Sequence, residues 1–551
     1  MKRTIVVAVA VWTPLFCASG RALAQQGPAS DGRLAAALSA DAIWAPLRFL
    51  SDDLLEGRGT GRRGGALAAQ YLAAQFMALG LEPAGDSGTW FQQVPIASLD
   101  PSPAVTLVDG GTRRELRYRD EFVAWPERID TLVRDSGEVV FVGYGIAAPE
   151  WRWDDYKGVD LRGRILLMLV NDPGLRDASL FRGRTLTYYG RWTYKLEEAA
   201  RRGAAGVLLI HDDTMATYGW STVVNSWTGP QVRLEGPPTP LGFAGWLTRR
   251  AAGALLASRG LDLERLMAAA ERRDFRPLPT GVEAVVTVRS TLRRLTTANV
   301  VGRLRGRDRE LGEQVVVISA HYDHLGIGAA VGGDSIMNGA VDNASGVAAM
   351  LGVGDALART GLRPRRSLLF VAMAAEESGL LGSAWLASHL PVPAAAVAAD
   401  LNIDGVNLFG RTRDISALGL DQSSLGSVFR RAAAAERLRV TVDSLALARG
   451  GFFRSDHFSF ARAGVPSLSW EAGHDFVGRP AGWGREQDRI YERDRYHQPA
   501  DNLLPWYNVD GALQEARVLA RVAWAVGEAA ARPSWEPTSE FAAAGRERVA
   551  R

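Results

Sequence analysis

One cysteine in 551 residues, Cys17, excludes a disulfide framework and leaves little room for thiol chemistry. No apolar run has the 18 or more residues that a membrane-spanning helix needs, so stable membrane insertion is not expected. No Gly-x-Ser-x-Gly elbow is present, which sets aside the common serine-hydrolase arrangement. Net charge is small too: 64 basic residues face 61 acidic ones. Three of the basic ones, Lys2, Arg3 and Arg21, fall in the first 24 residues, and without that stretch the two signs balance at 61 each. That balance removes any electrostatic argument for a nucleic-acid partner.

The first 24 residues form a separate object. A basic start at Lys2 and Arg3 leads into the apolar run Ile5 to Val11, and Ala22-Leu23-Ala24 resembles a small-residue cleavage signal. The expectation is a cleaved signal peptide over 1–24 and a periplasmic or secreted protein. Cys17 goes with it, so the mature chain depends on core size and any bound metal for its stability. At 47% hydrophobic and 23% charged, the remainder has the composition of a globular protein, and its length suggests more than one domain.

Residues 33–80 read as helical, with apolar spacing over Gly65 to Leu79 after the polar turn Glu56-Gly57-Arg58-Gly59. From about Asp130 to Val285 short β-rich runs alternate with Gly-, Pro- and Trp-rich loops. Trp151, Trp153, Trp192, Trp220 and Trp227 lie there, either gating access to a site or serving as ordinary core and surface aromatics. After Asn299 the pattern becomes strand–loop–helix. Gln314 to Ala320, Ser367 to Ala374, Val397 to Ile403 and Val465 to Trp470 have strand length. Gly346 to Ala358, Leu380 to Leu390 and Val509 to Ala530 read as helices. This alternation predicts an α/β fold with an open, mostly parallel sheet flanked by helices and a β-rich inserted domain. The expected division is 25–129 for the N-terminal part of the main domain, 130–285 for the insert, 286–532 for the remainder of the main domain, and 533–551 for a C-terminal tail.

The strands end in polar clusters: His321-Tyr322-Asp323-His324 after the first, Glu376-Glu377 after the second, Asn402-Ile403-Asp404 at the third. Asp342-Asn343-Ala344-Ser345-Gly346 precedes a helix, and Arg495-Tyr496-His497-Gln498-Pro499 follows a long loop. Open α/β sheets bind ligands outside the carboxyl ends of their strands. Singly, each residue has a plain alternative: Asp342 as a helix cap, Glu376-Glu377 as a solvated turn. Together they form a set of imidazole and carboxylate donors suited to zinc or a similar divalent ion. Five such ligands sharing an aspartate would hold two ions about 3.5–4 Å apart, with a sixth carboxylate beside them as general base.

In that order and spacing, the motifs resemble those of the co-catalytic zinc aminopeptidase family, over residues 30–130 and 286–530, with the middle similar to a protease-associated domain. The resemblance implies two zinc ions per chain. His321 and Asp404 would hold one, Glu377 and His497 the other, and Asp342 would bridge them. Asp323 would orient His321 by taking its second ring proton, Glu376 would act as the catalytic base on the bridging water, and the Asp342-Asn343 peptide would be cis. Implied substrates are peptides with a free N-terminus. The chain departs from some relatives where a tyrosine helps stabilise the oxyanion: Gly451-Phe452-Phe453-Arg454 stands there. His457, Tyr496 or Arg454 would replace it, unless the metals carry the charge alone, and Phe452 and Phe453 would line an apolar pocket beside His457 and Tyr496. Other activities on this fold are a glutaminyl cyclase-like reaction with one zinc, a carboxypeptidase or dipeptidase, and a non-catalytic receptor-like binding protein. Oligomeric state is left open.

Overall fold

Strands buried on both faces need continuous apolar runs, and those runs build the centre of this molecule. A computed structural model describes residues 29–236 and 239–550; the expected signal peptide and Cys17 lie outside the described residues. Val315–His321 and Ser367–Met373 are buried at every position and run parallel side by side. Val397–Asn402 joins the other edge of Val315–His321, also parallel, and Ser467–Ala472 follows, parallel again. Asp414–Leu418 then adds antiparallel, with Arg439–Thr441 parallel to it at the edge. Helices cover the faces, among them Arg63–Ala78, Gly346–Thr360 and Asp510–Glu528. The architecture is the open, mostly parallel α/β sheet expected from the alternation of runs.

The inserted module has a parallel centre of its own. Leu132–Phe141, Ile165–Leu169, Gly206–His211 and Phe243–Thr248 lie in that order, and Phe122–Pro126 closes the edge antiparallel to Phe243–Thr248. Its apolar core is drawn from residues 105–288, whereas the larger core draws on residues 34–81 and 300–526. The module's packing therefore starts before residue 130. The cause is a long ribbon: Phe91–Asp109 pairs with the 27-residue strand Leu278–Leu304 without interruption from Val108–Glu283 to Phe91–Val300. The far end of that strand pairs with Ser367–Met373, so one continuous strand carries a single sheet from the module into the larger core.

Residues 533–550 fold back. Helix Ala542–Ala550 ends the described chain, and Phe541 packs with Phe452, Phe453 and Phe458 against Tyr188 of the module. Glu540 accepts a hydrogen bond from the Tyr188 N–H at 2.8 Å. Among the described residues no helix is long and apolar enough to cross a membrane.

Candidate metal centre

Parallel strands deliver their carboxyl ends to one edge, and three neighbouring strands here each carry donor residues past that edge. His321 is the last residue of Val315–His321, Glu376 and Glu377 follow Ser367–Met373, and Asp404 follows Val397–Asn402. Asp342 comes from the loop before helix Gly346–Thr360, and His497 from the turn after helix Trp483–Asp494. Ala375 and His497 adopt φ of 56° and 58°. Left-handed backbone costs a non-glycine residue on the order of 1–3 kcal/mol, which surrounding structure must hold in place.

The donors converge on Asp342. His321 Nε2 lies 2.9 Å from Asp404 Oδ1 and 3.2 Å from Asp342 Oδ1. His497 Nε2 lies 3.1 Å from Glu377 Oε2 and 3.4 Å from Asp342 Oδ2. One oxygen of Asp342 thus faces the His321/Asp404 pair and the other faces the His497/Glu377 pair. His321, Asp342 and Asp404 place donor atoms within 4.8 Å of one another, as do His324, Asp342, Glu377 and His497, and also His321, Glu376 and Glu377.

These residues fit divalent cations by charge and by orphaned atoms. Asp323, Asp342, Glu376, Glu377 and Asp404 gather at the edge, and Asp323 is fully buried. Among the described residues His497 Nε2, close to two carboxylates, has no hydrogen-bond partner, and neither has the buried His324 Nε2. Burial lifts the Glu376 carboxyl well above the carboxylate range, with Asp404, Glu377 and Asp456 adding to the shift against His321. Burial and Asp342 raise Glu377 as well, but His324 and His497 hold it down at about 2. Burial acts against the charge of Asp342 too, yet His321 and His497 keep it well below its usual value. So much buried carboxylate needs more positive charge than the histidines supply.

The loop holding Asp342 is shaped by main-chain contacts. The Asp342-Asn343 peptide is cis. Asp501 accepts hydrogen bonds from the Val341 and Asp342 N–H groups, each at 3.1 Å, and from the Tyr491 hydroxyl at 3.1 Å. Asn343 Nδ2 donates to Ile403 O at 2.9 Å, while its Oδ1 accepts from Gly346 N at 3.0 Å and Gly405 N at 2.8 Å. This ties the Asp342 loop to the Asp404 loop. Gly339, at φ 56°, permits the tight entry: a Cβ there would meet Asp342 O at 2.1 Å and the His324 ring at 2.7 Å.

Asp323 sits beside His321, but the ring Nδ1 lies nearer its main-chain oxygen, at 3.2 Å, than its carboxylate, at 4.0 Å. The carboxylate is engaged elsewhere. It accepts from Thr60 Oγ1 at 2.8 Å and from the Glu376 N–H at 3.1 Å, so it links the histidine's loop to the glutamate's.

Two further residues at the site lay inside segments of the sequence to which no role was given. Arg58, fully buried, donates through Nε to Tyr322 O at 2.7 Å, through Nη1 to Asn338 O at 2.6 Å and to Leu50 O, and through Nη2 to Gly339 O at 2.9 Å. It clasps the two donor loops to the N-terminal helices. His324 Nδ1 lies 2.6 Å from Glu377 Oε1 and fixes that carboxylate from behind. The only signals for them were the Glu56-Gly57-Arg58-Gly59 turn and a second histidine beside Asp323.

Of the residues expected around a substrate pocket, Tyr496 joins the centre: its ring stacks on His497 at 3.9 Å and is 45% exposed. Phe452 and Phe453 are buried in the aromatic cluster with Phe458, Phe541 and Tyr188. His457 is wholly buried, 4.8 Å from the Phe452 ring, and burial pushes its pKa down to about 3. The structure therefore places these three in packing that involves the module and the C-terminal segment.

Residues 299–517, which contain every donor named above, match the model of Peptidase family M28. The chain is similar to Leupeptin-inactivating enzyme 1 of Streptomyces exfoliatus, 28% identical over 220 residues, covering 39% of this chain and 46% of that protein. It is also similar to Aminopeptidase YwaD of Bacillus subtilis, 28% identical over 211 residues, covering 38% of this chain and 40% of that protein. The chain spans less than half the length of these curated relatives. Among solved structures, the aminopeptidase from Aneurinibacillus sp. strain AM-1 is similar at 19% identity and a TM-score of 0.47, covering 92% of this chain and 98% of that one. The resemblance to zinc aminopeptidases drawn from the motifs is thus met by a peptidase family model and by a curated relative named as an aminopeptidase.

Proposed function

We propose that this chain, whose residues 299–517 match Peptidase family M28, is an exported dinuclear zinc aminopeptidase that removes N-terminal residues from peptides. The observation that carries the reading is the double orientation of Asp342, one oxygen toward His321 and Asp404 and the other toward His497 and Glu377. On this reading His321, Asp404 and Asp342 would hold one ion, and Glu377, His497 and Asp342 the other. Zinc bound there would polarise the scissile carbonyl and acidify water at neutral pH.

Glu376 takes the part of general base. It belongs to the same donor cluster as His321 and Glu377, and its backbone is held by Asp323. Its buried carboxyl binds a proton readily, which suits a group that accepts one during attack and returns it to the departing amine nitrogen. His324 keeps Glu377 oriented, and Tyr496 covers His497. The carboxylates at the rim would receive a free substrate amino group and restrict cleavage to the N-terminus.

The test joins metal analysis with a panel of aminoacyl-nitroanilides and their N-acetylated counterparts, for the wild type and Glu376→Ala. Expected are two zinc ions per chain, hydrolysis of free N-termini alone, and near loss of turnover in the variant. One zinc with cyclisation of N-terminal glutamine would move the chain to the cyclase class. Absence of both metal and turnover would make it a binding protein.

A further inference from the structure

A second site lies where the module meets the peptidase half, in a cleft with cationic walls. Arg191, Trp192 and Tyr218 line it from the module; Arg449 and Arg454 line it from the other side. Arg449 has a partner, Glu492, at 3.1 Å. Arg191 and Arg454 take part in no ion pair among the described residues, and Arg191 Nε is closed off from solvent with no hydrogen-bond partner. Leaving a guanidinium nitrogen unpaired at a shielded site is costly; Arg191 is so placed, and Arg454, itself exposed to solvent, faces the same space. Burial lowers the Arg191 pKa to about 10, and the like charge of Arg454 adds to that effect.

The backbone adds positive potential at the same place. Helix Trp192–Arg201 starts at this cleft with Arg191 at its N-cap position, and no side chain caps it. Its first N–H groups carry the positive end of the helix dipole, where an anion is favoured and an arginine is not. An uncapped helix start, two unpaired guanidiniums and the Tyr218 hydroxyl all offer donors to a negatively charged oxygen.

One hydrogen bond links the loop of Arg454 to a strand of the candidate metal centre. Ser455, next to Arg454, accepts a hydrogen bond from Asn402 Nδ2 at 2.7 Å, and Asn402 ends the strand that leads to Asp404. Across the cleft, Leu186 N–H donates to Leu447 O at 3.2 Å and fixes the module wall against the peptidase wall.

We propose that this cleft is a carboxylate-binding subsite in which Arg191 and Arg454 jointly hold an acidic group of the peptide. That group is either the free C-terminus of a short peptide or an acidic side chain. The identity of the occupant rests on the peptidase reading; oxyanion binding by the cleft does not.

Two measurements on the full chain separate these layers. In the first, glutarate serves as the probe in calorimetric titrations of the zinc-loaded protein. Binding is expected in the wild type and in His497→Ala, with at least a roughly tenfold weaker Kd in Arg191→Gln and in Arg454→Gln, as loss of a charge-assisted contact implies. Binding that disappears in His497→Ala but survives both arginine variants would place the anion on the metal centre and overturn the proposal, as would no binding to the wild type. In the second, kcat/KM is compared for Leu-Gly-Gly and its C-terminal amide, and for Leu-Gly-Glu-amide and Leu-Gly-Gln-amide. A preference for the acid in the first pair assigns the C-terminus, and in the second pair an acidic side chain. Either preference should fall to about one in the arginine variants. Equal rates in both pairs for the wild type would overturn the assignment of a peptide carboxylate. If no peptide is cleaved, the peptidase reading falls, and the glutarate titration still decides whether the cleft binds an oxyanion.

Discussion

The Lys195 network of the module and the donor cluster within residues 299–517 both bury charged groups near the ends of parallel strands, but they treat those charges differently. In the module, Lys195 is fully buried and donates to Asn171 O at 3.0 Å. Its acidic neighbours are occupied: Asp172 accepts from Thr187 Oγ1 at 2.6 Å and Gly174 N at 2.9 Å, and Asp155 from Trp153 Nε1 at 2.8 Å and Ile146 N at 2.9 Å. In the donor cluster the carboxylates and imidazoles face one another, with ring nitrogens left without a hydrogen-bond partner among the described residues. A buried network that satisfies itself is a scaffold; one that does not is arranged for something else to complete it.

The sharpest way to break this comparison is Glu376→Ala. Removing the base should lower kcat by about 10²–10⁴-fold while zinc content measured by atomic absorption stays at the wild-type level; an equal loss of zinc would make Glu376 a ligand instead. Arg58→Met tests whether the unsatisfied site needs outside support. It strands several buried carbonyls, each costing about 1–3 kcal/mol, so both the urea midpoint and zinc retention during dialysis against a chelator should fall. Unchanged zinc retention would reduce Arg58 to a packing role.

Lys195→Met probes the self-satisfied network. Losing the buried ammonium strands the Asn171 carbonyl, at about 1–3 kcal/mol, and removes the positive charge near Asp155 and Asp172; thermal or urea unfolding should show it, while the refolded protein keeps its zinc and kcat. If zinc is lost in proportion, the two regions are not energetically distinct. The smallest effect concerns the C-terminal clasp. Burial raises the Glu540 carboxyl from its ordinary range to about 7, so the folded state binds the proton more tightly than the unfolded one. Its stabilising contribution is full below about pH 4.5 and is lost as pH rises through about 7. The unfolding midpoint should decline over that window, and Glu540→Gln should flatten the decline; an unaltered slope would remove Glu540 from the account.

Much of the framework was legible because buried parallel strands carry apolar runs that nothing else requires. Ser367 to Ala374 and Val397 to Ile403 match the observed Ser367–Met373 and Val397–Asn402 to within a residue. The donors lay immediately past those runs, where open sheets present ligands. The module's start was harder to read. Phe91–Asp109 has the alternating pattern of a strand but gives no hint that its partner is Leu278–Leu304, nearly two hundred residues on.

The sequence by itself determined which residue types stand at the ends of which strands, because burial patterns and motifs are local. Only the tertiary structure decided how they meet. Asp342 divides its two oxygens between His321 and His497, Arg58 reaches Tyr322 and Asn338 across separations of 264 and 280 residues, and Phe452 and Phe453 close against Tyr188 and Phe541. The physical reason is that a hydrogen bond or ion pair depends on ångström distances between segments remote in sequence. Those distances are set by how one long strand carries the sheet through both regions and by what packs behind each loop.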